Sequence, residues 1–240
     1  MTGREGTDAT GLSAVGVEAL DTPTLDRTTA RATLTDIARA NLLFGGNAAV
    51  AHGVKRILGD DHRRSTLTIA DVGAGAGDVL QSLTRMLTRR GIAATGIAVD
   101  WHREAAAMAR EQGQGAAVGD AFALPLASRS IDVVVASQLL HHFSRDAAIR
   151  LLRELDRVAR MGVVISDLRR ARTAAWGIWL AASIMRFHPV SRADGVLSVR
   201  RGFSARELAD LCRDAGVSAA VTQRPGYRLL AYWRTDRAHG

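Results

Sequence analysis

The chain has 240 residues and a mass of 25.6 kDa, with 47% apolar and 23% charged residues. That supports one domain with a substantial core and excludes a largely disordered chain; a single cysteine, Cys212, also excludes an internal disulfide and fits a reducing, cytoplasmic setting. The formal net charge of +8 raises nucleic acid or an anionic surface as partners, but Lys55 is the only lysine, the arginines are scattered among acids and aromatics are 5% of the chain, so no nucleic-acid partner is expected.

Residues 1–24 carry Thr, Gly, Asp and Ala without periodicity and are expected to form a flexible tail. Residues 25–60 read as a helical cap segment. In it Leu34, Ile37, Ala38 and Leu42 recur at helical spacing, and Gly45-Gly46 breaks the run. Asn47 is the expected cap of a second helix that buries Val50, Val54, Ile57 and Leu58. Residues 41–46 either pack on the sheet or form part of a lid.

The apolar run 67–72 reads as a buried parallel strand, and Gly73, Gly75 and Gly77 stop it. Val79, Leu80, Leu83 and Leu87 then resume at helical spacing. Strand, glycine turn and helix together present free backbone N–H groups to a ligand, as a nucleotide-cofactor loop does. The spacing is G-x-G-x-G, not the G-x-G-x-x-G of dinucleotide loops, and Asp78 in the first helical turn repels phosphate. Asp71 at the strand end likewise suits a ligand carrying positive charge. A second strand, 94–99, ends at Asp100, and 100 − 77 = 23 residues past the last loop glycine is where an acid accepts hydrogen bonds from both ribose hydroxyls.

A short third strand at 116–119 leads to Asp120-Ala121, and the fourth strand exits through Ser137-Gln138-Leu139-Leu140-His141-His142. Ligands of open α/β sheets sit at the carboxyl ends of strands, which puts His141 and His142 near a reacting centre. A helix over 146–160 and a fifth strand over 162–166 follow, the strand ending at Asp167 and Arg169. The helix 171–186 carries Trp176 and Trp179, and its bulk is expected to cover an acceptor pocket or meet another subunit. Residues 194–203 read as a loop, and Ser204 with Glu207 forms a capping box for a helix to 215. Strands 217–222 and 227–233, joined by a Pro225-Gly226 turn, close the sheet. No apolar run reaches the ~20 residues of a membrane span. No metal is expected, because adjacent histidines do not easily share one ion.

From Asp71 through the glycine loop to Asp100, the chain resembles the class I S-adenosylmethionine-dependent methyltransferases. The segment 130–143, with its paired histidines, is similar to the ubiquinone/menaquinone-biosynthesis-like bacterial small-molecule methyltransferases. The resemblance implies a Rossmann-like, doubly wound α/β fold: a seven-stranded sheet, mostly parallel with an antiparallel last strand, plus a helical cap. It implies a methyltransferase domain over residues 61–240, with the Trp-rich helix and a lid loop inserted at 171–203. S-adenosylmethionine would be the cofactor and S-adenosylhomocysteine its product, without a metal. The cofactor residues would be Asp71, Gly73, Gly75, Gly77, Asp100, Trp101, Asp120, Ala121, Ser137 and Gln138. Asp120 with the Ala121 amide would read the adenine and Trp101 would lie against it. A small-molecule acceptor, phenolic or enolic, would meet His142, Asp167, Arg169, Trp176 and Trp179, with His142 and then His141 as base or orienting group. The assembly would be a monomer or homodimer. The rival reading is a cyclase or other pericyclic catalyst on the same fold, since fold does not fix chemistry. A nucleic-acid base N-methyltransferase is disfavoured, because its N/D-P-P-Y/F motif is replaced by Ser137-Gln138-Leu139-Leu140.

Overall fold

The structure is a computed structural model that describes residues 11–22, 25–59 and 64–235. Seven strands form one sheet: β1 (Thr66–Val72), β2 (Ala93–Asp100), β3 (Gly115–Val118), β4 (Ile131–Ser137), β5 (Ala159–Leu168), β6 (Ala220–Arg224) and β7 (Arg228–Arg234). Their order is β3-β2-β1-β4-β5-β7-β6. The first five pair in parallel, and β7 runs antiparallel between β5 and β6. β4, Ile-Asp-Val-Val-Val-Ala-Ser, is buried at every position, as a central parallel strand covered on both faces should be.

Each face carries its own core. On one, α2 (Gly46–Leu58) and α3 (Asp78–Thr88) bring Val50, Val54, Ile57, Leu80, Leu83 and Leu87 onto Ile69, Val133, Val135 and Val164. On the other, α5 (Arg145–Val158) and α8 (Ala205–Ala215) bring Leu151, Leu152, Leu155, Leu208 and Leu211 onto Ala70, Val134, Val163 and Ile165. The Ser204–Glu207 capping box starts α8 as the sequence predicts. Among the described residues, no helix is long and apolar enough to cross a membrane.

Over the carboxyl ends of β1 and β4 lies a cap of α1 (Arg27–Leu43), α7 (Pro189–Arg201) and residues 11–22. Three expectations are corrected here. Residues 11–22 are packed rather than a flexible tail: the Ser13 N–H donates to the His142 carbonyl at 2.8 Å, Leu12 bridges to Phe143, and Ala19–Asp21 form a 3-10 turn. Polar contacts hold this segment, so it shows no apolar periodicity. Residues 1–10 and 23–24 of the expected tail lie outside the described residues. The loop expected at 194–203 is mostly the second half of α7, which begins with His188 as N-cap and Pro189 in its first turn. Its apolar residues follow no single stripe because neighbours lie on several sides of it. Asn47 does not cap α2; Gly45, in the left-handed region at φ 76°, precedes Gly46 there.

Candidate active site

The glycine loop follows β1 directly. Gly73 (φ 69°) and Gly75 (φ 54°) sit in the left-handed region that side chains disfavour. A Cβ on Gly73 would meet Leu139 at 2.8 Å. The Gly73 N–H donates to the Val99 carbonyl at 2.8 Å and the Gly75 N–H to Asp100 Oδ2 at 2.9 Å, so the loop is tied to the end of β2. Gly77 (φ 81°) is not in the cavity lining: a Cβ there would meet Ala109 at 3.1 Å, so it serves the close approach of the loop to α4 (Arg103–Glu111).

A cavity of about 700 Å³ opens above this loop. Its lining includes Asp71, Gly73, Gly75, Asp100, Trp101, Asp120, Ala121, Ser137, Gln138, His141 and His142, all of them residues singled out in the sequence. Asp71 is fully buried, and neither of its carboxylate oxygens has a well-formed hydrogen bond among the described residues. Burial, reinforced by the charges of Asp78 and Asp100, pushes its pKa well above the usual carboxylate range. Burial also raises Asp78 and Asp100. Three crowded carboxylates beside open backbone N–H groups fit a ligand with a cationic end, which the ammonium and sulfonium of S-adenosylmethionine provide. Asp100 already accepts from the Gly75 and His102 amides at 2.9 Å each, and a carboxylate keeps further lone pairs for two ribose hydroxyls. Asp120 accepts the Phe122 N–H at 2.9 Å in an Asx-type turn on the cavity wall. The Ser137 hydroxyl is buried without a hydrogen-bond partner among the described residues. Gln138, at φ 55°, donates through Nε2 to Asn41 Oδ1 at 2.5 Å, which draws Asn41 of α1 into the site while Leu42 and Leu43 point outward.

A 3-10 turn, Leu140–His142, follows β4 and stacks the two histidine rings with centroids 4.4 Å apart. His141 is 2% exposed, and its Nδ1 lies 2.6 Å from Asp167 Oδ1. Burial alone would lower its pKa, but the Asp167 charge and hydrogen bond, with help from Glu18, raise it to about 10. His142 Nδ1 lies 2.6 Å from Asp21 Oδ1. Burial would raise Asp21; instead the His142 hydrogen bond and charge hold it at about 2. Glu18 faces the Nε2 atoms of both rings, with Oε1 3.6 Å from His141 Nε2 and Oε2 3.8 Å from His142 Nε2. Arg201, whose side chain is fully buried, donates to Glu18 Oε1 at 3.2 Å, Asp21 Oδ2 at 3.0 Å and the Gly16 carbonyl. Glu18 and Asp21 carry no motif, and their pairing with Arg201 across 183 and 180 residues has no local signature.

Four predicted acceptor residues fall outside the cavity lining. Asp167 is fully buried behind His141 and touches it instead of an acceptor. Arg169 donates to Gln223 and stacks over Tyr227. Trp176 and Trp179 are 67% and 51% exposed on the outer side of α6 (Arg172–Ile184), because that helix buries its small residues, Ala174 and Ala182, instead.

Residues 70–166 match the family model described as a methyltransferase domain. Comparison with curated proteins returns no sequence match. Among solved structures, a SAM-dependent methyltransferase from Aquifex aeolicus is 20% identical with a TM-score of 0.55, over 77% of this chain and 89% of that one. The magnesium protoporphyrin IX methyltransferase of Synechocystis PCC 6803, with bound SAM, is 13% identical with a TM-score of 0.54, over 82% and 83% of the two chains. An O-methyltransferase family protein from Burkholderia thailandensis is 16% identical with a TM-score of 0.62, over 90% of this chain and 62% of that one. Residues 70–166 therefore carry a methyltransferase domain, and the sheet around them has the Rossmann-like fold of these methyltransferase structures.

Proposed function

We propose that the protein O-methylates a phenolic or enolic small molecule of the polyketide or quinone type. The observation that carries this reading is one cavity running from the buried carboxylates of Asp71 and Asp100 to His142. Asp100 would hold the ribose, Asp120 and the Ala121 amide the adenine, and Asp71 with Asp78 the cationic end. Bound there, S-adenosylmethionine supplies a methyl on a positively charged sulfur, which leaves as a neutral thioether and needs no acid. The protein's remaining work is to align an acceptor oxygen with that methyl and to take its proton. His142 is the side chain placed for the proton, with Asp21 on Nδ1 orienting the ring. His141, raised to about 10, keeps its proton at neutral pH and serves as support.

Calorimetry with S-adenosylmethionine and S-adenosylhomocysteine, on the wild type and on Asp100→Ala, tests the cofactor half. Wild-type binding that weakens at least about tenfold in the variant is expected, two ribose hydrogen bonds being lost. Release of S-adenosylhomocysteine with phenolic acceptors tests the other half, and His142→Ala should lower turnover by about 10²-fold or more. An unchanged His142→Ala turnover removes the base role; product without S-adenosylhomocysteine replaces methyl transfer by rearrangement or cyclisation.

A further inference from the structure

Going beyond that reading, we infer that Glu18, His141 and His142 form a binding site for a divalent cation of the Zn²⁺ type at the acceptor end of the cavity. Both rings turn Nδ1 to a carboxylate, His141 to Asp167 and His142 to Asp21, at 2.6 Å each. This is how metal-ligating histidines are held, with the second nitrogen freed for the ion. Those second nitrogens face the two oxygens of one carboxylate, Glu18, at 3.6 and 3.8 Å, and one donor atom from each of the three residues lies within 4.8 Å of the others. Ligands on a common tetrahedral ion sit ~3.4 Å apart, given metal–ligand distances of ~2.1 Å, so small side-chain shifts close the site. His141 Nε2 is buried and has no well-formed hydrogen bond among the described residues, its carboxylate neighbour being Glu18 Oε1 at 3.6 Å, and the cation would displace the proton that His141 otherwise holds. The 3-10 turn makes this possible by stacking the rings 4.4 Å apart, which neighbouring histidines in a strand cannot do.

The charges agree. Once the His141 proton is displaced, Glu18, Asp21 and Asp167 carry three negative charges and Arg201 one positive, −3 + 1 = −2, which one dication offsets. Two imidazoles with one carboxylate suit Zn²⁺, Co²⁺ or Fe²⁺ rather than Mg²⁺ or Ca²⁺. Three protein ligands leave a position facing the cavity, where an acceptor hydroxyl would bind as its oxyanion, its proton passing to solvent water. With the cation in place His142 is a ligand, and the cation takes over its part in activating the hydroxyl.

Zn²⁺ titration of the chelator-treated full chain tests this, with Co²⁺ as a spectroscopic probe. One equivalent should bind, Co²⁺ should give intense visible bands of a low-coordinate site, and Zn²⁺ should displace it. Glu18→Gln and His142→Asn should each weaken Zn²⁺ at least about tenfold, and Asp167→Asn about tenfold through His141. Both ligand variants are near-isosteric and are checked for a cooperative unfolding transition; if one fails to fold, the other decides. Absence of saturable binding by the wild type, or unchanged affinity in the folded ligand variants, overturns the site. Methyl transfer is read separately by S-adenosylhomocysteine release, so a chain that transfers methyl but binds no Zn²⁺ fails this inference alone. One that binds Zn²⁺ but transfers no methyl fails the other alone.

Discussion

Asp71 is a buried carboxylate on the wall of the cavity. A buried carboxylate without a well-formed hydrogen bond, flanked by Asp78 and Asp100, opposes folding when ionised. Its pKa is raised above the ordinary 3.8, so the folded state takes up its proton more readily than the unfolded chain. The penalty is therefore absent below about pH 3.8 and grows as pH rises through the raised value, where stability is lost. Asp71→Asn should remove it, making the protein ~1–2 kcal/mol more stable near neutral pH and flattening the dependence above pH 5. The same substitution should weaken S-adenosylmethionine at least about tenfold, since it deletes the charge that the proposed site sets against the ligand's cationic end. Urea unfolding across pH 5–8 and calorimetry check both arms. A variant that is less stable and binds as well as wild type would mean Asp71 is a structural acid. The residue was visible in the sequence because it abuts the glycine loop; that it lacks a well-formed hydrogen bond among the described residues was not, because pairing depends on distant chain.

The segment 11–22 shows where local reading stops. It buries little apolar surface, and its anchors are charges: Glu18 and Asp21 against Arg201, and the Ala19 N–H on Asp194 at 3.0 Å. Asp194, half-buried and beside Glu18 and Asp21, is pushed up to about 6, chiefly by burial. Removing Arg201 strands two buried carboxylates, so Arg201→Met should cost ~3–5 kcal/mol and speed hydrogen exchange at the Ala19 and Asp21 amides. Unchanged exchange there would show that backbone contacts such as Ser13 to His142 hold the segment alone. The Trp-rich helix errs in the opposite direction: its composition suggests a pocket cover, but the bulky side chains point outward. Trp176→Ser and Trp179→Ser should change stability by less than ~0.5 kcal/mol and leave cofactor affinity intact, while wild-type fluorescence is readily quenched by acrylamide. Loss of cofactor binding in either variant would return this helix to the site. Strands and sheet-facing helices were legible because burial imposes its period on them. α7 was not, because it is wedged between elements and shows no single apolar face.

At the scale of the molecule, chain order turns back between β1 and β4, and the cavity opens at that point, where parallel sheets hold their ligands. The floor comes from loops consecutive with the strands and was readable as motif. The roof comes from three separated pieces, residues 11–22, α1 and α7, joined by polar contacts such as the His188 N–H on Asp36 Oδ2 at 2.7 Å. A ligand that touches floor and roof together should stabilise pieces that hold each other only weakly. S-adenosylhomocysteine at about 100 times its Kd should add ~2.7 kcal/mol, which for a chain of this size is a rise in Tm of ~5–10 °C. Hydrogen exchange locates the gain. Protection should appear in the glycine loop and also in 11–22 and the Asn41 end of α1, but not in β6 at the far edge of the sheet. Protection of the loop alone would mean that cofactor binding leaves the roof uncoupled, so that the acceptor, reaching Glu18 and His142, is what closes it.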